Sequence, residues 1–277
     1  MCSDITMGLF TIQTMMVLYR SLFLQVVLYN AQAWSNLTKQ DITVLKTIQL
    51  KFLKRIFHAP SSTSNPLTFL ETGTLPIEQE IHKRQLAFLH HILSLQNNDP
   101  VKMSYNEQLK YECAQNWANE VKQLRETYGI RESDTEITTL SRKCWKYKVK
   151  TTISKHTIDT LTKELSNQKQ YAVLPMYSEL KPQEYLYSFP PAKARTLFHI
   201  RTGTVDVKAV RKYRYNDTLC RLCGTGDENI DHIVNHCTQI TRTHLITDVY
   251  ANQMDDMAEV VNRYNDFTNK LDELGEK

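Results

Sequence analysis

Apolar side chains recur at alternating spacings of three and four along most of this chain, and glycine seldom interrupts them. Only 7 glycines occur in 277 residues, about a third of the usual share. That combination confines the fold. Barrels use glycine at strand bends and bulges, and phosphate-cradling loops and dinucleotide sites use it at their turns. No Gly-x-x-x-x-Gly-Lys pattern is present, and no Gly-x-Gly opens a helix. The close pair Gly224 and Gly226 lies instead among cysteines and histidines. The expected fold class is therefore all-α: a multi-helix bundle, then a small cysteine-rich module, then an amphipathic C-terminal helix. A chain of this length can bury a substantial core.

The segments follow from the spacing. Residues 11–34 form one apolar-rich stretch ending near Trp34. Between Asp4 and Lys39 only Arg20 is charged, but Gln13, Thr14, Ser21, Gln25, Asn30 and Gln32 interrupt the stretch, so a helix buried in protein is expected and no membrane span. The start, Met-Cys-Ser-Asp, lacks the basic opening of a secretory signal. Thr38 with Asp41 offers a cap for a second helix, with Ile42, Leu45, Phe52 and Ile56 on one side and Lys51, Lys54 and Arg55 on the other. Residues 59–66 read as a loop. Pro76 suits the first turn of a third helix running to Leu95, striped by Ile77, Ile81, Phe88, Leu89 and Ile92. Residues 104–127 and 137–168 each support a long helix, with Trp117 and Trp145 among the core positions. Pro175, Pro182, Pro190 and Pro191 mark a looser join, a short helix follows at 192–202, and 238–273 reads as an amphipathic helix. These segments divide the chain into helical regions at 1–100 and 101–191, a basic lead-in with a cysteine-rich loop at 192–240, and an acidic tail at 241–277.

Chemistry concentrates at Leu219-Cys-Arg-Leu-Cys-Gly-Thr-Gly-Asp-Glu-Asn-Ile-Asp-His-Ile-Val-Asn-His-Cys237. Two cysteines with two residues between them put both sulfurs on one side of a tight turn. Cys220, Cys223, His232 and Cys237 then supply three thiolates and one imidazole, the closed shell of a structural Zn2+ site with no position left for a reacting water. His236 competes with His232, but it adjoins Cys237, and neighbouring residues seldom reach one metal. His232 and Cys237 are five apart, so an ideal α-helix cannot present both on one face. The segment must change its winding before Cys237. Three of the six cysteines are scattered (Cys2, Cys113 and Cys144), as in a reducing, intracellular compartment of cytoplasm or nucleus.

A basic stretch leads into this loop. Lys193, Arg195, Arg201, Lys208, Arg211, Lys212, Arg214 and Arg221 face only Asp206 and Asp217, a net of +6. Phe198, His199, Tyr213 and Tyr215 interleave with them. Cations for phosphates beside aromatic faces for bases suit single-stranded nucleic acid. Lys51, Lys54, Arg55, Lys83 and Arg84 read first as a solvated face and second as another phosphate-facing strip. The whole chain carries only +4, but residues from Asp227 onward hold eleven acids against four bases, a net of −7, which leaves +11 on residues 1–226. RNA or DNA is thus the expected partner of the body and not of the tail. No Asp-Asp pair lies in a strand-like apolar setting, and no Gly-x-Ser-x-Gly or His-Glu-x-x-His motif is present.

The run Leu18-Tyr-Arg-Ser-Leu-Phe-Leu-Gln-Val-Val-Leu-Tyr-Asn-Ala-Gln-Ala-Trp34 resembles the helix after the polymerase palm in reverse transcriptases of non-LTR (LINE-type) retrotransposons. Leu37-Thr-Lys-Gln-Asp41 with Phe52-Leu-Lys-Arg-Ile56 is similar to the next thumb helix, and Glu71-Thr-Gly-Thr-Leu-Pro76 with Lys83-Arg-Gln-Leu86 to the one after. Ala194-Arg-Thr-Leu-Phe-His-Ile-Arg-Thr-Gly203 and the span from Tyr213 to Cys237 are similar to that family's arginine-rich lead-in and terminal Cys-Cys-His-Cys knuckle. The resemblance covers most of residues 15–240. It implies a thumb-like bundle, zinc on Cys220, Cys223, His232 and Cys237, and phosphate contacts from the basic set Lys193 to Arg221. The family's palm, with its catalytic aspartates, has no counterpart here, and neither does the nuclease that some branches carry after the knuckle. A nucleic-acid-binding fragment without polymerase or endonuclease activity of its own is expected. The rival expectations are a protein-interaction module, pairing with itself or with an upstream polymerase region through the C-terminal helix, and a truncated element remnant without function.

Overall fold

The computed structural model describes residues 10–111, 115–166, 177–242, 244–247, 249–250 and 253–275. They are all-α. The only β contact among the described residues is an isolated antiparallel bridge, Leu219 to Asp227. No helix among them is long and apolar enough to cross a membrane.

The first apolar stretch is not one helix. It runs as α1 (Ile12–Leu18), a widened π turn (Tyr19–Phe23) and α2 (Leu24–Val27), and Asn30 at φ 57° then turns the chain. In α3 (Lys39–Ile56) the Thr38 hydroxyl accepts from the Asp41 N–H at 3.1 Å while the Asp41 carboxylate accepts from the Thr38 N–H at 2.9 Å, the reciprocal cap expected from the sequence. Lys54 departs from expectation. It is buried, and its ammonium donates to Ser61 O, Thr63 O and Asn65 Oδ1 at 2.6–2.8 Å, holding the loop after α3. The apolar spacing predicts no element directly after that loop. There α4 (Asn65–Thr72) forms because Ser64 caps it and Pro66 sits in its first turn.

α5 (Ile77–Ser94) follows as expected. The helix read over 104–127 is two. Asp99 caps α6 (Pro100–Leu109) and Asn116 caps α7 (Trp117–Thr127). The helix read over 137–168 is also two: a Ser133–Glu136 capping box starts α8 (Asp134–Thr139), and the Ser141 hydroxyl, accepting from Cys144 N–H at 3.2 Å, starts the long α9 (Arg142–Ser166). Each break falls at a short polar side chain that satisfies an open N–H, which competes with continued helix. Pro175, Cys2 and Cys113 lie outside the described residues. α10 (Tyr185–Ser188), α11 (Pro191–Arg201) and α12 (Met254–Leu274) complete the order. The tail helix is shorter than its apolar spacing suggests, because Ile240, Ile246 and Val249 enter the core from turns instead.

Three apolar cores result among the described residues. One joins α1 to α4, the start of α5, the end of α9, α10, α11 and two residues of α12, Met257 and Val261. A second gathers the rest of α5 with α6, α7, α8 and the first half of α9 around Trp145, whose indole N–H donates to Leu86 O at 2.8 Å. The third forms between the cysteine-rich loop and the remaining apolar side of α12, Val260, Tyr264, Phe267 and Leu271. The tail's apolar face is therefore packed against its own chain.

Gly73 closes α4 in the left-handed region, φ 59°, with the backbone of Lys181 and Pro182 pressed against it. A Cβ there would lie 2.1 Å from both Lys181 C and Pro182 N. Gly129 is also left-handed, φ 64°, with nothing within 4 Å of a Cβ. Gly129→Ala is expected to cost about 1–2 kcal/mol from the backbone alone. Gly73→Ala should cost clearly more in the same denaturant titration; equal costs would show that the 181–182 segment yields freely.

Candidate metal centre

The loop that carries the cysteines is built by backbone hydrogen bonds. Cys220 N–H donates to Gly226 O at 3.0 Å, Glu228 N–H to Thr218 O at 2.7 Å and Gly224 N–H to Cys220 O at 2.8 Å. Gly224 and Gly226 both take positive φ, 67° and 71°. Gly226 has a second duty. The His232 ring lies against it so closely that a Cβ would stand 2.8 Å from Nδ1. The Gly224 N–H thus goes to a carbonyl, and it is the amides of Leu222 and Cys223 that face the Cys220 sulfur.

The change of winding between His232 and Cys237 is a π turn. Residues His232–His236 are wound with i to i+5 hydrogen bonding, and Cys237 N–H donates to His232 O at 2.6 Å. The wider turn brings two residues five apart to one side, as the α-helix would not. His232 N–H is capped by Asn229 Oδ1 at 2.8 Å.

The ligand atoms of Cys220, Cys223, His232 and Cys237 all lie within 4.8 Å of one another, so this group can hold a metal ion. Cys220 Sγ and Cys237 Sγ are 3.9 Å apart, and Cys223 Sγ is 3.3 Å from His232 Nε2. Two thiolates on one tetrahedral zinc, each about 2.3 Å from it, would stand about 3.8 Å apart, and a disulfide would need about 2.05 Å. The donor set and spacing thus fit a tetrahedral ion. His236 is turned to solvent, 3.4 Å from the Asp231 carboxylate, and stands outside the cluster.

Burial pushes the Cys237 thiol up to about 12, helped by the neighbouring Cys220 sulfur, and burial also raises Cys220. For Cys223 burial pulls the same way, but hydrogen bonding to Thr225, His232 and Cys220 outweighs it and holds the thiol at about 6. A bound cation would therefore have to displace protons from two buried sulfurs.

Three residues outside the expected ligand set hold this loop in place. Glu228 is fully buried and accepts from Lys208 N–H at 3.0 Å, Arg221 N–H at 2.8 Å and the Arg221 guanidinium at 2.7 Å. Asn235 straps the following loop, exchanging bonds with Ile246 N–H and Ile246 O at 3.0 and 2.9 Å. Arg263 of α12 donates to Val234 O and His244 O, both at 2.9 Å, and so closes the open end of the π turn. A signal for Arg263 existed: it stands between Val260 and Phe267 at helical spacing, inside an apolar stripe.

The basic lead-in is mostly spoken for. Arg201 is a correction: its side chain is wholly buried against Glu71, Nε to Oε1 at 2.8 Å, with Nη1 donating to Tyr250 O at 2.9 Å. Arg221 is another. Besides Glu228, its guanidinium lies over the rings of Tyr215 and Phe267, 5.2 and 5.8 Å from their centres. Lys208 is buried on Asp217 at 2.7 Å. Arg195 is half-buried and donates to Ile56 O, Lys193 reaches Asn262 Oδ1 at 3.0 Å, and Arg211 donates to Thr204 O. Lys212 and Arg214 remain exposed, with Arg214 beside the exposed ring of Tyr213. Partners placed by the fold, carboxylates and neutral oxygens alike, and not the local count of cations, decide which bases reach solvent.

No protein-family model, curated protein or solved structure matches this chain.

Proposed function

We propose that the chain binds Zn2+ through Cys220, Cys223, His232 and Cys237, and that it is a nucleic-acid-binding region like the one that ends non-LTR retrotransposon reverse transcriptases, without polymerase or endonuclease chemistry of its own. The observation that carries this reading is the convergence of three sulfurs and one ring nitrogen on one point. Zinc suits that soft donor set, and a shell completed by four protein ligands makes the metal structural. The partner is RNA or single-stranded DNA, met by the exposed Lys212, Tyr213 and Arg214 beside the metal loop and by the net +11 of residues 1–226. Tyr213 offers a face for a base, and its two neighbours offer charge for phosphate.

Metal analysis and a binding titration test this together. Purified under reducing conditions, the chain should carry one zinc per molecule, and Cys220→Ser with Cys223→Ser should remove it and weaken RNA binding. Affinity should fall steeply with salt, with a slope in log–log form of about −0.7 for each phosphate contact. Absence of zinc, or RNA affinity indifferent to the cysteines and to salt, would sink the reading.

A protein-interaction role has one observation in its favour. Val26 and Tyr29 are 76% and 80% exposed beside an apolar groove lined by Met15, Leu18, Phe23 and Phe52. Light scattering of the wild type against Val26→Lys would show whether that face associates.

A further inference from the structure

A second cationic feature lies in the helical body, away from the metal loop. A groove of about 520 Å³ opens where the π turn after α1, helix α5, helix α9 and the segment after Leu180 meet. Arg20, Lys83, Arg84, Lys150 and Lys181 line it, and Glu80 is the single carboxylate among the lining residues. These cations come from four separate stretches of sequence, so no local charge count shows them together. Glu80 engages Lys83 at 2.6 Å. Arg84 is fixed by neutral acceptors, Leu28 O at 2.9 Å and Gln25 Oε1 at 3.3 Å, which aim its guanidinium while leaving its charge unbalanced. Arg20 and Lys150 are exposed and make no ion pair among the described residues. The pair Lys181–Glu179 is open to water at 3.2 Å and screens little. Leu24, Leu75 and Leu180 supply apolar wall, which strengthens the field between the cations.

The charge does not stop at the groove. Lys143, Lys146, Tyr147 and Lys150 stand at i, i+3, i+4 and i+7 on α9, all exposed, with Tyr147 at 71%. From Lys143 to Lys150 the helix rises about 10 Å. A track of that length exceeds what one phosphate group needs, and an exposed aromatic within it offers a stacking face.

We propose that this groove and the adjoining stripe of α9 grip the phosphate backbone of a nucleic-acid strand, with Arg20, Arg84 and Lys150 as the principal contacts and Tyr147 under a base. The proposal rests on the nucleic-acid reading above and moves most of the phosphate contacts from the lead-in to the helical body.

The full zinc-loaded chain, a labelled 20-nucleotide single-stranded RNA and two double variants separate the possibilities. In Arg20→Gln with Lys150→Gln, affinity at 0.15 M salt should fall on the order of tenfold and the salt slope should shrink by about 1.4, the loss of two contacts. Both side chains are exposed, so the thermal melt should not move. Lys212→Gln with Arg214→Gln should have the smaller effect. Wild-type affinity and slope in the groove variant, with the loss confined to the lead-in variant, would overturn the groove and spare the nucleic-acid reading. A wild type that binds neither RNA nor single-stranded DNA would overturn the reading itself. Displacement of RNA by a polyglutamate peptide of equal charge at equal concentration would also reject the groove as a nucleic-acid site.

Discussion

Arg201→Met is expected to lower the unfolding free energy by about 3–5 kcal/mol. Glu71 and Arg201 are separated by 130 residues of sequence and meet with no exposure on either side chain. Two tyrosine hydroxyls complete the carboxylate's shell, Tyr185 at 2.8 Å and Tyr177 beside it. Burial, and then the Glu71 charge, raises both tyrosines well above their ordinary range, so they remain donors throughout the usual pH scale. Removing the guanidinium leaves a buried carboxylate with no counter-charge, which costs far more than the intact pair contributes. The double variant Glu71→Gln with Arg201→Met should recover a large part of the loss, because it removes the stranded charge. A denaturant titration of the two single variants and the double reads this directly. Losses that simply add would show that the two side chains do not act as a pair.

Stripping metal from the zinc-loaded chain should produce the other large effect, and a local one. Structural zinc contributes about 10–16 kcal/mol in isolated finger peptides, more than a small core can replace. The amides of Cys220, Gly224, Glu228 and Cys237, all hydrogen-bonded in the loop, should exchange rapidly after chelation. The Trp145 amide, which bonds to Ser141 O at 3.0 Å in the second core, should keep its protection. Hydrogen exchange with and without chelator checks this, and loss of protection at Trp145 would show that the cores do not unfold separately. Lower pH should act in the same direction as chelation, since protons compete with the metal for the thiolates.

Much of this was legible in the sequence, and the exceptions share a cause. Helical spacing located α3, α5, α9 and α11, and cysteine spacing located the four residues that converge. Both are short-range signals, carried by neighbours within a turn or two. The splits at Asn116 and Ser141 were hidden because apolar spacing continues across them while a polar side chain opens a new hydrogen-bond ladder. The fate of the basic residues was hidden because a cation's partner is a tertiary matter. Arg201 finds Glu71 in α4 and Lys54 finds three oxygens across a loop, whereas Lys150 comes to line the same groove as Arg20. A count of charge along the chain cannot separate a staple from a contact surface.

α12 leaves the ribosome after the metal loop and after every other helix described, yet two of the three cores close on it. A nascent chain that has already made all four cysteine and histidine ligands still lacks Arg263, which closes the open end of the π turn, and Phe267, which lies under Arg221. The full packing of the metal loop is therefore complete only once α12 has emerged. A product cut short before Met254 would leave Val205, Ile230 and Val234 without the α12 side of their core, so a site made early depends for its cover on the stretch made last.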